Sequence, residues 1–295
     1  MILLANNQPY DDRANLMAQI EDMKASLISE FLYAVNSDLH KESLQRPVSE
    51  IATSMRLIGG SSEMRRPLNV GLMFFNERPD SFFPYARIEV VDKPDATGIG
   101  MTEKMFIGPL DRQLRDALSY IKNYIIKEKV IKVSGQAEAE RIYNYPYAAV
   151  EETLSNAVYH KSYQIGEPIT VVVTPEGMEI TSLPGPDRTI SDEDIRNRKM
   201  ISKRYRNRRI GDFLKELKLV EGRNTGIPTI LGALLGYVLG EIGPLGLTLS
   251  LGFASCAMLY VVFGEILPQS FLMYHSKLPA FSAIAGILVG LLIIF

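Results

Sequence analysis

The sequence has little cysteine, and it lacks several motifs that would fix an enzyme class. Cys256 is the single cysteine, so no disulfide can form within the chain, as is typical of a reducing compartment. No G-x-x-x-x-G-K-[ST] segment is present, and Gly98-Ile99-Gly100 lacks the third glycine of a dinucleotide fingerprint. No nucleophile elbow surrounds Ser155 or Ser162. These absences exclude P-loop, dinucleotide-fingerprint and elbow-type serine hydrolase signatures.

Charge is nearly absent from the last quarter of the chain. The 295 residues carry a net charge of −2, yet from residue 228 to 295 only Glu241, Glu265 and Lys277 are charged. A length of this order has room for about two domains. The sequence therefore predicts a charged, soluble first part and an apolar tail.

The apolar tail contains three blocks, at about residues 228–240, 245–267 and 279–295. A membrane-spanning helix needs ~20 apolar residues, and basic residues collect on the cytoplasmic side. The blocks therefore predict three membrane spans, a multi-pass membrane location and a cytoplasmic N-terminal part. The alternative is a hydrophobic helical hairpin buried in a globular core. Glu265 is then either a functional group inside its span or a side chain that reaches the interface.

Hydrophobic periodicity predicts that the first part mixes α and β structure. The predicted helices lie at about residues 14–35, 48–58, 110–128, 145–160 and 210–217. The predicted strands are residues 70–75 and 86–91, followed by a hairpin of residues 169–173 and 178–181. We therefore expect an α+β fold in which a sheet packs on helices.

The helix predicted at 145–160 carries the most distinctive pair of polar side chains. Glu152 and Asn156 are four residues apart, so they are neighbours on one face of the helix. A carboxylate and a carboxamide so placed could orient a water and supply one ligand of Mg²⁺, which prefers oxygen ligands. The alternative is an amphipathic helix whose Glu152 and Asn156 only face solvent.

A dense basic run follows between Arg196 and Arg209. Its candidate phosphate-binding residues are Arg204, Arg206, Arg208 and Arg209. Such a run could bind the phosphates of a nucleotide or a nucleic acid. It could equally be a solvated face or juxtamembrane charge. The loop after it, residues 221–228, is bracketed by glycines, so its backbone amides could approach an anion.

Several segments in the same order resemble one family. They are Asn7–Arg13, Pro67–Phe75, Tyr145–Tyr147, Glu152–His160, Arg204–Arg209 and Glu221–Pro228. Residues 1–227 thereby resemble the C-terminal part of transcriptional regulators that join an AlbA/Schlafen-type module to a GHKL-type ATPase half, related to ATP-dependent helicases. The resemblance implies a GHKL (Bergerat-like) α/β sandwich that binds ATP and magnesium. It divides the first part into an α+β region, residues 1–144, and an ATP-binding segment, residues 145–227.

The resemblance also implies roles for individual residues. Glu152 would be the general base for the attacking water, and Asn156 the magnesium ligand. Gly222 and Gly226 would belong to a lid near the phosphates. The nucleotide would meet Ser182 and Gly185 in a turn where the family pattern has an aspartate that reads adenine; here Ser182 stands at that place.

The tail, residues 228–295, resembles a different family. From about residue 231 it is similar to the last three spans of bacterial ZIP-type divalent-metal transporters, with Leu251–Pro268 as the main matching segment. Glu265 is then a candidate ligand for a divalent metal. The family's His-Asn-x-Pro-Glu-Gly and His-Glu-x-Pro-Glu-Gly motifs are absent, so a partner chain or a second copy would have to supply ligands.

The sequence thus predicts a membrane-tethered, GHKL-like ATP-binding protein with a transcriptional-regulatory role, an ATPase if its site is active. One alternative is a ZIP-type zinc-transport subunit. Another is a nucleic-acid-binding module that uses the basic run. Nucleotide, membrane and nucleic acid are the expected partners.

Overall fold

A computed structural model describes residues 8–241 except 62, 96, 132–139, 186–189, 192, 194–195, 197–204 and 221–225. The chain divides into two compact units, Met1–Leu234 and Leu235–Phe295. The helices are α1 (Ala25–Ala34), α2 (Leu39–Ser43), α3 (Val48–Ser54), α4 (Asn69–Phe75), α5 (Leu110–Tyr120), α6 (Tyr147–His160), α7 (Arg208–Glu216) and α8 (Gly226–Glu241). The strands are β1 (Ile58–Gly60), β2 (Arg65–Pro67), β3 (Ile88–Asp92), β4 (Thr102–Phe106), β5 (Glu128–Ile131), β6 (Glu140–Tyr143), β7 (Ile169–Thr174) and β8 (Gly177–Thr181).

A four-stranded mixed sheet forms the centre of the first unit, with strand order β4-β3-β7-β8. β3 and β7 are parallel, and the two outer pairs are antiparallel. Side chains alternate along β7, so Ile169, Val171 and Val173 are buried on one face. The connection between the parallel strands runs through α5, the β5–β6 hairpin and α6.

Helices α5 and α6 cover the buried face of this sheet. α5 contacts β3, β4 and α6, and α6 contacts β8. Leu114, Leu118 and Ile121 form the apolar stripe of α5, which continues into a π-helical turn at Ile121–Ile125. The predicted helices at 110–128 and 145–160 and the hairpin at 169–181 are therefore confirmed.

The continuously apolar segment 70–75 was predicted as a strand, and this prediction is wrong. Residues Asn69–Phe75 form helix α4, and all seven are buried. A run that is apolar at every position has no periodicity, so a buried strand and a buried helix look alike in sequence. Phe74 and Phe75 of this helix pack against Phe213 of α7, with ring centroids 5.1 and 5.7 Å apart.

The prediction of three C-terminal membrane spans also needs correction. Among the described residues, no helix is long and apolar enough to cross a membrane. The first predicted span lies in α8, whose 16 residues fall short of the ~20 required. The segments 245–267 and 279–295 lie outside the described residues. Within the described residues, the structure therefore contradicts the predicted fold of a soluble part followed by three membrane spans. It also contradicts the predicted multi-pass membrane location with a cytoplasmic N-terminal part.

Candidate functional site

Helix α6 brings Glu152 and Asn156 together, as their spacing predicts. The helix begins at Tyr147, directly after Pro146, and buries Leu154 and Val158 against the core. Glu152 and Asn156 lie beside this buried stripe, and both are half-buried. The Asn156 carboxamide donates a hydrogen bond from Nδ2 to Glu152 Oε1 at 3.0 Å. This bond orients the Glu152 carboxylate. It is made by the amide nitrogen of Asn156, so the amide oxygen Oδ1 takes no part in it.

The turn after β8 is fastened to the second half of α6. Ser182 Oγ donates to the Ala157 carbonyl at 3.0 Å, and the Ser162 amide donates to the Leu183 carbonyl at 2.8 Å. Gly185 has φ +88°, and a Cβ built there would have no atom of the described residues within 4 Å. The structure therefore places Ser182 and Gly185 next to the helix that carries Glu152 and Asn156.

These atoms fit an adenine nucleotide with magnesium. A hydroxyl that donates to a carbonyl keeps its lone pairs, so Ser182 Oγ can accept a hydrogen bond from an adenine amino group. The open side of Gly185 lets a ligand approach the backbone. Asn156 Oδ1 is of the oxygen type that magnesium takes from proteins, and phosphates and waters supply its remaining ligands.

The C-terminal end of α6 is capped by a side chain from a distant part of the sequence. Asn207, which is fully buried, donates from Nδ2 to the carbonyls of Tyr159 and Lys161 at 2.9 and 2.6 Å. The last carbonyls of a helix have no donor within the helix, so they need donors from elsewhere, such as Asn207 Nδ2. Tyr163 caps the same end by donating its hydroxyl to the Val158 carbonyl at 2.9 Å.

Asp11, and not Asn207, caps the N-terminal end of α7. Asn207 precedes α7, but its side chain makes no capping bond to that helix. Instead Asp11 Oδ2 accepts a hydrogen bond from the Ile210 amide in the first turn of α7 at 3.0 Å. Asp11 is fully buried, and burial raises the pKa of its carboxyl to about 6. The carboxylate therefore joins the N-terminal segment to α7.

Of the four described members of the basic run, Arg206 and Arg209 make contacts inside the protein, and Arg196 is exposed. Arg209 forms an ion pair with Asp12 at 3.1 Å and donates to the Met55 carbonyl at 3.2 Å. Arg206 donates to the carbonyls of His160 and Gly185. Arg208 is exposed, and Arg204 lies outside the described residues. These contacts count against a solvent-facing phosphate-binding surface at Arg206 and Arg209.

The segment that runs from β7 to α8 is similar to a known family. Residues 166–241 match the family model described as "Putative ATP-dependent DNA helicase recG C-terminal". The match supports the ATPase part of the sequence resemblance. It begins after α6, so Glu152 and Asn156 lie just before the matched residues.

A solved structure supports the fold. The DIP2311 protein from Corynebacterium diphtheriae is similar, with a TM-score of 0.51 and 16% sequence identity over 80% of this chain. The chain spans 45% of that protein's length. No curated protein sequence matches the chain. The resemblance of the tail to ZIP-type transporters receives no support from these comparisons.

Three predicted site residues, Arg204, Gly222 and Glu265, lie outside the described residues. Gly226 is the first residue of α8. Within the described part of the chain, no group of three or more His, Cys, Asp or Glu side chains could hold a metal ion.

The sequence pattern did not reveal the capping roles of Asp11 and Asn207, nor the burial of Lys161. An asparagine before an amphipathic segment is an N-terminal helix signal, and Asn207 stands in that position. Nothing in the pattern shows that Asn207 serves α6 and that Asp11 serves α7. Lys161 is 1% exposed, its ammonium donates to the Glu167 carbonyl, and burial lowers its pKa to about 8.

Proposed function

We propose that this chain is an ATP-binding module of the helicase-related ATPase type, with its magnesium-nucleotide site on α6 and the turn after β8. The observation that carries the proposal is the Glu152–Asn156 hydrogen bond on a helix whose end is fastened to Ser182. The family match over residues 166–241 supports it, because it covers the turn and the two helices that follow.

Each residue of the site has a chemical role in this proposal. Asn156 Oδ1 would supply one oxygen ligand to the magnesium ion, and Ser182 Oγ would accept from the adenine amino group. Glu152, held by Asn156, would take the proton of the water whose oxygen bonds to the terminal phosphorus, while the bond from that phosphorus to the bridging oxygen breaks and ADP leaves. Magnesium bound to the phosphates would neutralise their developing charge. The function that follows is nucleotide binding with hydrolysis at Glu152.

Nucleotide titration of the full chain tests the proposal. We expect saturable MgATP binding that Asn156→Ala weakens at least about tenfold, since a magnesium ligand is lost. Glu152→Gln should leave binding nearly intact and lower the hydrolysis rate about 10²–10⁴-fold, the usual worth of a general base. Isothermal calorimetry and phosphate release measure the two effects.

Neighbouring residues provide matched controls. Glu151 is exposed on the same helix, and Asn123 is exposed on another. Glu151→Gln and Asn123→Ala should change neither binding nor hydrolysis. No saturable binding by the wild-type chain, or equal loss in Asn156→Ala and Asn123→Ala, would reject the proposal.

A role in transcriptional regulation is part of the proposal and rests on the sequence resemblance alone. In that role the nucleotide site would control how the full chain engages its partner. Nucleic-acid binding through the basic run is not favoured, because Arg206 and Arg209 are held by contacts within the protein.

A further inference from the structure

The side chain of Arg206 bridges the end of α6 and the end of the turn after β8. One guanidinium nitrogen, Nη1, donates to the His160 carbonyl at the last residue of α6. The other, Nη2, donates to the Gly185 carbonyl at 3.4 Å. A planar guanidinium presents its donors in a fixed fork, so it sets the separation of the two carbonyls that it binds.

The residues on either side hold Arg206 in this position. The Tyr205 ring stacks on Tyr159, with centroids 5.5 Å apart and planes 9° apart. On the other side Asn207 is fully buried and donates to the carbonyls that flank His160. A cation at the C-terminal end of a helix is also favoured by the helix dipole. Arg206 therefore makes its two contacts from a segment that is anchored on both sides.

The two parts that Arg206 joins would contact opposite ends of one nucleotide. α6 carries Asn156 and Glu152, which serve the phosphate end, and the turn carries Ser182, which serves the base. A ligand that contacts two parts binds best when their separation is already correct, because no binding energy is then used to set it.

We propose that Arg206 is a positioning residue that fixes the turn after β8 against α6 and so sets the nucleotide affinity of the site. This inference rests on the proposed ATP-binding function. Arg206 does not touch the phosphates in this account, although it belongs to a basic run that could suggest so. Both acceptors described above, at His160 and Gly185, are main-chain carbonyls of the protein.

The test measures MgATP affinity and hydrogen exchange on the full chain. Arg206→Ala should weaken MgATP binding about tenfold, the effect of losing charge-assisted hydrogen bonds. Without nucleotide, the amides of residues 157–163 and 181–185 should lose protection together. Arg206→Lys keeps the charge but not the fork, so its affinity should fall between those of Arg206→Ala and the wild type.

Two further variants separate positioning from charge and from general destabilisation. Arg208→Ala removes the exposed neighbouring charge, and it should leave MgATP affinity and both sets of amides unchanged. Ile51 is buried in α3, away from the site, so Ile51→Val should lower the urea midpoint and leave MgATP affinity within about twofold.

Each other outcome has a definite meaning. Arg206 has no positioning role if Arg206→Ala leaves affinity unchanged, or if Arg208→Ala or Ile51→Val lowers affinity as much. Loss of protection in only one of the two segments also rejects the coupling between them. Failure of the wild-type chain to bind MgATP instead rejects the proposed function itself, so the two failures are distinguishable.

Discussion

At the scale of single residues, Asp11 and Asn207 show that the side chain that caps a helix can come from a distant part of the sequence. Asn207 precedes α7, yet it caps the end of α6. Asp11 lies about two hundred positions earlier in the chain and accepts from the Ile210 amide of α7. A carboxylate at a helix N-terminus is stabilised by the free amides and the helix dipole. Its full burial acts against the charge and raises the pKa.

This buried carboxylate predicts a pH dependence of stability. Because burial raises the pKa of Asp11 to about 6, the folded state binds this proton more tightly than the unfolded chain. The contribution of Asp11 to the free energy of unfolding therefore falls as the pH rises from about 4 to about 6, and it is level above that. Asp11→Asn keeps an oxygen that can accept from Ile210 and removes the titration.

The wild-type free energy of unfolding, relative to that of Asp11→Asn, should fall by about 2 kcal/mol between pH 4.5 and pH 7. Urea unfolding of both proteins at the two pH values measures this difference. If the difference in free energy of unfolding stays constant with pH, the pKa of the Asp11 carboxyl is not raised in the folded state.

At the scale of elements, helix α6 is stabilised at its C-terminal end by side chains from three separate segments. Tyr163 follows directly, Ser182 lies after β8, and Asn207 lies before α7. Its position therefore depends on contacts that are distant in sequence. The helix itself follows from its apolar stripe and from Pro146 before its first turn.

Loss of the Asn207 side chain should destabilise the chain strongly. Asn207→Ala leaves two buried carbonyls, those of Tyr159 and Lys161, without this donor, which should lower the free energy of unfolding by about 2–3 kcal/mol. Asn123→Ala, on an exposed surface, should change it by less than about 0.5 kcal/mol. Urea midpoints decide between these values. An effect of Asn207→Ala as small as that of the control would mean that its two hydrogen bonds add little.

The elements also show what the sequence can predict. The helix at 145–160 and the hairpin at 169–181 were predictable, because both have clear periodicity and turn signals. The spacing of Glu152 and Asn156 predicted their contact for the same reason. The run at 70–75 had no periodicity and was wrongly predicted as a strand. The capping roles of Asp11 and Asn207 could not be predicted, since they depend on tertiary contacts.

At the scale of the whole molecule, the N-terminal segments and the ATPase-like segment share one compact unit. Phe31 of α1 and Phe75 of α4 pack on Phe213 of α7, with centroids 5.0 and 5.7 Å away. Asp11 and Arg209 add polar links between the same regions. Four of the segments that carried the sequence resemblance therefore contact one another in the fold: Asn7–Arg13, Pro67–Phe75, Glu152–His160 and Arg204–Arg209.

The most direct test is hydrogen exchange of the full chain with and without saturating MgATP. The amides of α6, Tyr147–His160, and of the turn at residues 181–185 should become protected together, because both would contact the nucleotide. Asn156→Ala at the same MgATP concentration should reduce that protection. Nucleotide binding that leaves both segments unprotected, or an absence of binding, would contradict the site on α6.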